Sequence, residues 1–192
     1  MQNTLLILDN YDSFTYNLVQ LVEQCGVKDF TVAKNDQISI DEVNAFNSIL
    51  LSPGPGIPSE AGIMCDLIKA YAPVKKIFGI CLGHQAIAEC FGAKLVQMND
   101  IMHGIGSKTV YTRAKDEIFE GMQNCFITGR YHSWVVGIDN FPYESLNITA
   151  VDIAMHIMAI KHKHYNVRGV QFHPESFITQ NGLKIMKNWL EL

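Results

Sequence analysis

Ile77-Phe78-Gly79-Ile80-Cys81-Leu82-Gly83-His84-Gln85-Ala86-Ile87-Ala88-Glu89-Cys90-Phe91-Gly92 is the stretch on which the reading of this chain turns. Ile77–Ile80 is a short apolar run and reads as a buried strand. Ala86–Phe91 reads as a helix, and Gly92 ends it. Cys81 lies between the two, with a glycine two residues to either side. A cysteine at a strand-to-helix junction sits on a sharp turn, where its sulfur projects from the sheet edge and faces the positive end of the helix dipole. The flanking glycines are expected to serve that strained turn rather than packing. On this pattern Cys81 is the candidate nucleophile.

Working outward, the same strand-then-helix alternation repeats. Leu5-Leu6-Ile7-Leu8 is a continuous apolar run, as expected for a strand covered on both faces. A polar turn, Asp9 to Ser13, leads into a helix with Phe14, Leu18, Leu21, Val22 and Cys25 on one stripe and Gly26 at its end. Phe30–Ala33 and Ser48–Leu51 read as the next strands. The second of these runs into Ser52-Pro53-Gly54-Pro55-Gly56. Ser59 is the expected cap of a helix that buries Ile63, Met64, Leu67, Ile68 and Tyr71 and stops at Pro73. This alternation predicts an α/β fold with a mostly parallel central sheet and helices on both faces. The second half is different. Leu95-Val96, Thr109–Tyr111, Phe126–Thr128, Leu146–Thr149, His156–Ile160 and Val167–Phe172 read as short strands, several joined as antiparallel hairpins added to the sheet. A last helix, from about Gln180, is expected to bury Leu183, Met186, Trp189 and Leu190. There is no repeat or linker, so residues 1–192 read as one domain.

Bulk properties exclude several function classes. The chain has 192 residues, 48% of them hydrophobic and 18% charged, as in ordinary globular proteins. The formal net charge of -4 argues against a broad nucleic-acid footprint. No apolar run reaches the ~20 residues of a membrane span. Met1-Gln2-Asn3-Thr4-Leu5 lacks the basic start of a signal peptide, so a cytoplasmic protein is expected. The five cysteines have no paired spacing and no C-x-x-C, which argues against a metal site or redox pair. Cys25, Cys65, Cys90 and Cys125 read as buried, inert thiols.

A nucleophilic cysteine needs oxyanion donors and a base. The Leu82 amide, just after Cys81 at the helix start, is one donor in principle, and the Ser52–Gly56 loop suits a second. Gly169-Val170-Gln171-Phe172-His173-Pro174-Glu175-Ser176 supplies the base. His173 ends a strand, and Glu175 lies two residues on. An extended backbone would put both on one face, with the carboxylate orienting the imidazole. His84 is the second candidate, but three residues into the helix it is expected to point away from the sulfur. Lys161-His162-Lys163-His164 reads as a solvated strand end, and His156 as a strand residue.

Together, G-I-C-L-G-H-Q at Cys81, the S-P-G-P-G loop and G-V-Q-F-H-P-E-S resemble the triad-type (class I) glutamine amidotransferases. The likeness covers nearly the whole chain. Asp9-Asn10-Tyr11-Asp12-Ser13-Phe14-Thr15-Tyr16-Asn17-Leu18 and Arg130-Tyr131-His132-Ser133 are similar to the branch that serves anthranilate synthase or 4-amino-4-deoxychorismate synthase. The resemblance implies that Cys81, His173 and Glu175 are catalytic and that Gly54 and Leu82 form the oxyanion hole. It implies that Gly54, Pro55, Gly56, Gln85, Ser133 and Trp134 hold L-glutamine. It further implies no cofactor and no metal, and a separate chorismate-using synthase subunit (component I of either enzyme) as partner. Two positions depart from the family pattern: Ile105 follows His103-Gly104 where lysine is common, and Trp134 stands where leucine is common. A stand-alone γ-glutamyl hydrolase and a catalytically idle binding subunit are the competing readings.

Overall fold

A computed structural model of the chain describes residues 4–192. The residues Met1–Asn3, on which part of the signal-peptide reading rests, lie outside that range. Five parallel strands form one half of the main sheet: β1 (Leu5–Asp9), β2 (Phe30–Lys34), β3 (Ser48–Leu51), β4 (Lys76–Ile80) and β11 (Val167–Val170). The helices between and after them are α1 (Thr15–Gln24), α2 (Ile40–Val43), α3 (Met64–Tyr71), α4 (Leu82–Cys90) and α5 (Gly182–Glu191). The antiparallel half adds β6 (Ile105–Tyr111), β7 (Cys125–Arg130), β9 (Leu146–Asp152) and β10 (Ile157–His162). The order across the sheet is β2-β1-β3-β4-β11-β10-β9-β6-β7. A separate small sheet pairs β5 (Leu95–Gln97) with β8 (Trp134–Val136).

The apolar runs are explained by burial on both faces of this sheet. Alternate residues of one run feed two cores. Leu6, Leu8, Ile49, Leu51 and Ile77 pack with Met64, Leu67, Ile68, Ala86 and Ile87 of α3 and α4. Leu5, Ile7, Leu50, Phe78 and Ile80 pack on the other face with Leu18 and Val22 of α1 and Ile185, Met186 and Trp189 of α5. The Trp189 ring lies on Phe78, centroids 5.3 Å apart.

Several expectations change. Ser59 does not cap α3; it lies in a 3-10 turn, Pro58–Glu60, and the helix begins at Met64 with Ile63 as its uncapped N-cap. Leu183 is 45% exposed, and Ile185 takes its place in the core, because α5 starts only at Gly182 and its apolar stripe is set from there. Cys25, Cys65 and Cys90 are half-buried and Cys125 is exposed at the first residue of β7. None of the described helices is long and apolar enough to cross a membrane.

The strand order reverses direction at β1, which lies between β2 and β3. Ligands in open α/β sheets bind at such a switch point, outside the carboxyl ends of the strands. The Asp9–Ser13 turn, the Ser52–Gly56 loop and Cys81 follow β1, β3 and β4 and therefore meet on that edge.

Candidate active site

Cys81 is the junction between β4 and α4. Its backbone has φ 53 and ψ -100, a conformation that costs free energy for a residue with a Cβ. The strain sits on the cysteine itself. The flanking glycines have ordinary φ and instead serve packing, which corrects the sequence expectation. A Cβ on Gly79 would come within 2.4 Å of the Gly83 backbone, and one on Gly83 within 2.7 Å of the Leu51 side chain. Gly169 of β11 likewise leaves room for His84. These three glycines let the first turn of α4 sink onto β3, β4 and β11. Leu82 is the first helical residue, so its N–H is one of the first-turn donors that the helix itself cannot satisfy.

The Ser52–Gly56 loop is fixed by Asn10. The Asn10 N–H donates to Ser52 Oγ at 2.8 Å, and its side-chain amide donates to the Ser52 carbonyl at 2.9 Å. Asn35 Nδ2 donates to Asn10 Oδ1 at 3.0 Å, so the Asn10 side chain cannot swing away. A Cβ on Gly54 would fall 2.7 Å from both Asn10 Cβ and a Leu82 methyl carbon. Gly54 thus lies against the residue that follows Cys81.

The segment after β11 brings in the histidine. The His173 N–H donates to the Gly129 carbonyl at 3.1 Å, and Thr179 Oγ1 donates to the His173 carbonyl. His173 Nδ1 meets Glu175 Oε1 at 2.7 Å, with the Glu175 side chain fully buried. The backbone there is a turn, closed by the Ser176 N–H on the His173 carbonyl at 3.2 Å, rather than the extended segment expected. The two side chains meet across the turn. Nε2 of His173 is buried, and Cys81 is the other side chain that acts on the ring. Burial disfavours the imidazolium, but the Cys81 sulfur and the Glu175 carboxylate outweigh it and hold the His173 pKa well above the ordinary value. The ring is gripped edge-on by Tyr131 and Phe14, at centroid distances of 4.9 and 5.7 Å.

His84 is poorly placed for a base. It is fully buried, packed against Gly169, and both ring nitrogens lack a hydrogen-bond partner. Burial lowers its pKa to about 4, a pull that the Gly169 backbone only partly opposes.

In front of Cys81 lies a cavity of about 190 Å³. Gly54, Pro55, Gly56, Gln85, Ser133 and Trp134 all line it, so every residue expected to hold substrate is brought together there. Ile101, Met102, His103, Tyr131 and His132 complete the wall. Gln85 Nε2 donates to the Trp134 carbonyl at 2.9 Å and to Gln171 Oε1 at 3.1 Å. Gln171 Nε2 in turn reaches Cys81 Sγ at 3.6 Å. The Trp134 carbonyl is thus held by a contact that does not depend on the side chain at that position. Ile105 is 45% exposed at the start of β6.

Gln171, Tyr131 and Asn10 have no assigned role in the sequence reading, although each falls within a motif quoted there. Their partners lie dozens of residues away in the chain, so no local pattern marks them. Among the described residues, no group of three or more His, Cys, Asp or Glu could hold a metal ion.

This arrangement presents a cysteine on a strained backbone at the wall of a cavity, an imidazole paired with a buried carboxylate, and Gly54 packed against the first residue of α4. That is acyl-transfer chemistry. The model of the class-I glutamine amidotransferases matches residues 6–192. Anthranilate synthase component 2 of Porphyra purpurea is 44% identical over 190 residues, covering 97% of this chain and 98% of that protein. The aminodeoxychorismate/anthranilate synthase component 2 of Bacillus subtilis (strain 168) is 42% identical over 189 residues, covering 97% and 95%. A crystal structure assigned to a GMP synthase subunit of Thermoplasma acidophilum superposes with a TM-score of 0.86 at 26% identity, covering 98% of this chain and 92% of that one. Sequence, fold and site geometry agree, and the chain belongs to the class-I glutamine amidotransferases.

Proposed function

We propose that the chain is the glutaminase subunit of an anthranilate synthase, releasing ammonia from L-glutamine for a separate subunit that acts on chorismate. The observation that carries this is the meeting of Cys81, the His173–Glu175 pair and a substrate-sized cavity at one sheet edge, in a chain so similar to component 2 proteins. Glutamine lies against Gly54, Pro55, Gly56, Gln85, Ser133 and Trp134. The Cys81 thiolate, with its proton on His173, attacks the side-chain amide carbon. The Gly54 and Leu82 amides receive the charge that develops on the carbonyl oxygen. Collapse breaks the C–N bond, His173 gives its proton to the leaving nitrogen, and ammonia departs. A glutamyl thioester remains on Cys81. Water, deprotonated by His173, then cleaves it to glutamate and restores the thiolate–imidazolium pair. Glu175 keeps the imidazole oriented in both halves and stabilises its charged form.

The name of the Bacillus subtilis relative joins both chorismate-using enzymes, which favours one specific second reading: service to 4-amino-4-deoxychorismate synthase. Ammonia release from glutamine is measured with the chain alone, and then with component I of each synthase plus chorismate. The expected result is low release alone and a rise with the anthranilate component. A rise with the aminodeoxychorismate component only would transfer the chain to that enzyme. High release unmoved by either would make it a stand-alone hydrolase.

A further inference from the structure

Behind the Ser133–Trp134 wall lies a buried ion pair that the steps above do not use. Arg130 is 1% exposed, and the Asp152 side chain 3%. Arg130 Nη1 donates to Asp152 Oδ2. The rest of that carboxylate is saturated. The Ala154 and His156 N–H groups donate to Oδ1 at 2.9 and 2.8 Å, and His156 Nδ1 lies 2.8 Å from Oδ2. Arg130 is thereby locked, and its Nε–H points at His132 Nε2, 3.1 Å away.

A guanidinium has only donors, so His132 Nε2 must be the accepting nitrogen. The ring proton is then on Nδ1, the tautomer a free imidazole favours less. From Nδ1 it is donated to the Trp134 carbonyl at 2.9 Å. That same carbonyl accepts from Gln85. Two donors from opposite sides fix one peptide group of the cavity wall. The strap above the cavity hangs from the same segment, because the Met98 and Met102 N–H groups donate to the Ser133 and His132 carbonyls at 2.8 and 3.0 Å.

We propose that Arg130, clamped by Asp152, is a positioning residue for glutamine binding: it sets the His132 tautomer, and through it the Trp134 carbonyl and the substrate-facing wall. This rests on the glutamine-pocket reading above. Burial, and after it the adjacent Arg130 charge, keep the His132 ring neutral, so the Nδ1–H donor state persists below neutral pH. Lysine in place of Arg130 keeps the charge opposite Asp152, but it lacks the rigid fork whose Nη1 and Nε–H serve Asp152 and His132 separately.

The test uses the full chain, with and without a synthase subunit. Histidine-ring ¹⁵N NMR of the wild type at pH 7 is expected to show His132 protonated at Nδ1 and bare at Nε2. In Arg130→Lys that preference is lost. The KM for glutamine rises about tenfold with kcat changed little, the signature of lost ground-state binding. Should Arg130→Lys fail to fold, a second pair decides. His132→Asn puts an amide donor where Nδ1–H was and is expected to raise KM less than His132→Gln, which puts it at the other position. An Nε2-protonated His132 in the wild type would overturn the proposal, as would equal KM values for both His132 variants. Absence of any glutamine turnover by the wild type would strike the glutaminase reading instead, and the tautomer measurement would still decide the role of Arg130.

Discussion

At pH 7 the His84 imidazole is an uncharged group sealed under the start of α4, with its pKa pushed down to about 4 by burial. His132 is held down to about 3, first by burial and then by the Arg130 charge. For a base whose folded pKa is depressed, the unfolded chain binds the proton first. Stability is therefore full above the unfolded value, near 6.5, and is lost as pH falls from there toward the folded value. At pH 5 each of these two histidines removes about 2 kcal/mol. Urea midpoints at pH 7 and pH 5 should show that loss, and His84→Leu should remove the His84 share. A variant with the wild-type pH slope would refute this origin. His173 differs because its proton is favoured by neighbouring charge, and that contrast separates the proposed base from the other two histidines. Its pairing with Glu175 was legible from the strand end and the two-residue spacing. The turn between them was not, because hydrogen bonds, rather than the residue pattern, close that turn.

At the scale of the element, α4 is placed by what its neighbours lack. Gly79, Gly83 and Gly169 remove three side chains from the contact between the helix start and the sheet. Gly79→Ala would drive a methyl to 2.4 Å from the Gly83 backbone, which no rotamer can relieve. We expect a loss of about 2–3 kcal/mol in urea unfolding and a fall in kcat/KM, since the junction carrying Cys81 and the Leu82 amide must move together. Unchanged unfolding and kinetics would show that the close packing is not needed. The strands β1, β3 and β4 were legible because burial on both faces makes an unbroken apolar run. Short elements were not. α2 has four residues, too few to show a period, although Ser39 and Glu42 form a capping box at its start. β8 has three residues and pairs in a separate sheet with β5, a long-range choice that alternation cannot reveal.

Across the whole molecule, the sheet order turns distant residues into neighbours. β11 lies parallel beside β4, with Val170 opposite Ile80, so the chain leaving β11 toward His173 emerges next to Cys81. The Asn10 turn and the Ser52–Gly56 loop flank the switch point beside them. Parallel strands need crossovers, and their right-handed sense fixes the helices to the two faces. That much followed from alternation alone. The seating of the antiparallel strands did not, because hairpin pairing depends on side-chain fit between distant segments. In the proposed reaction Cys81 is the sole nucleophile for glutamine. The most direct test is product formation by the Cys81→Ser variant in complex with the synthase subunit, supplied in turn with glutamine and with ammonia. Glutamine is expected to support no product, while ammonia supports as much as in the wild-type complex. Glutamine-dependent product formation at the wild-type rate would contradict that role for Cys81.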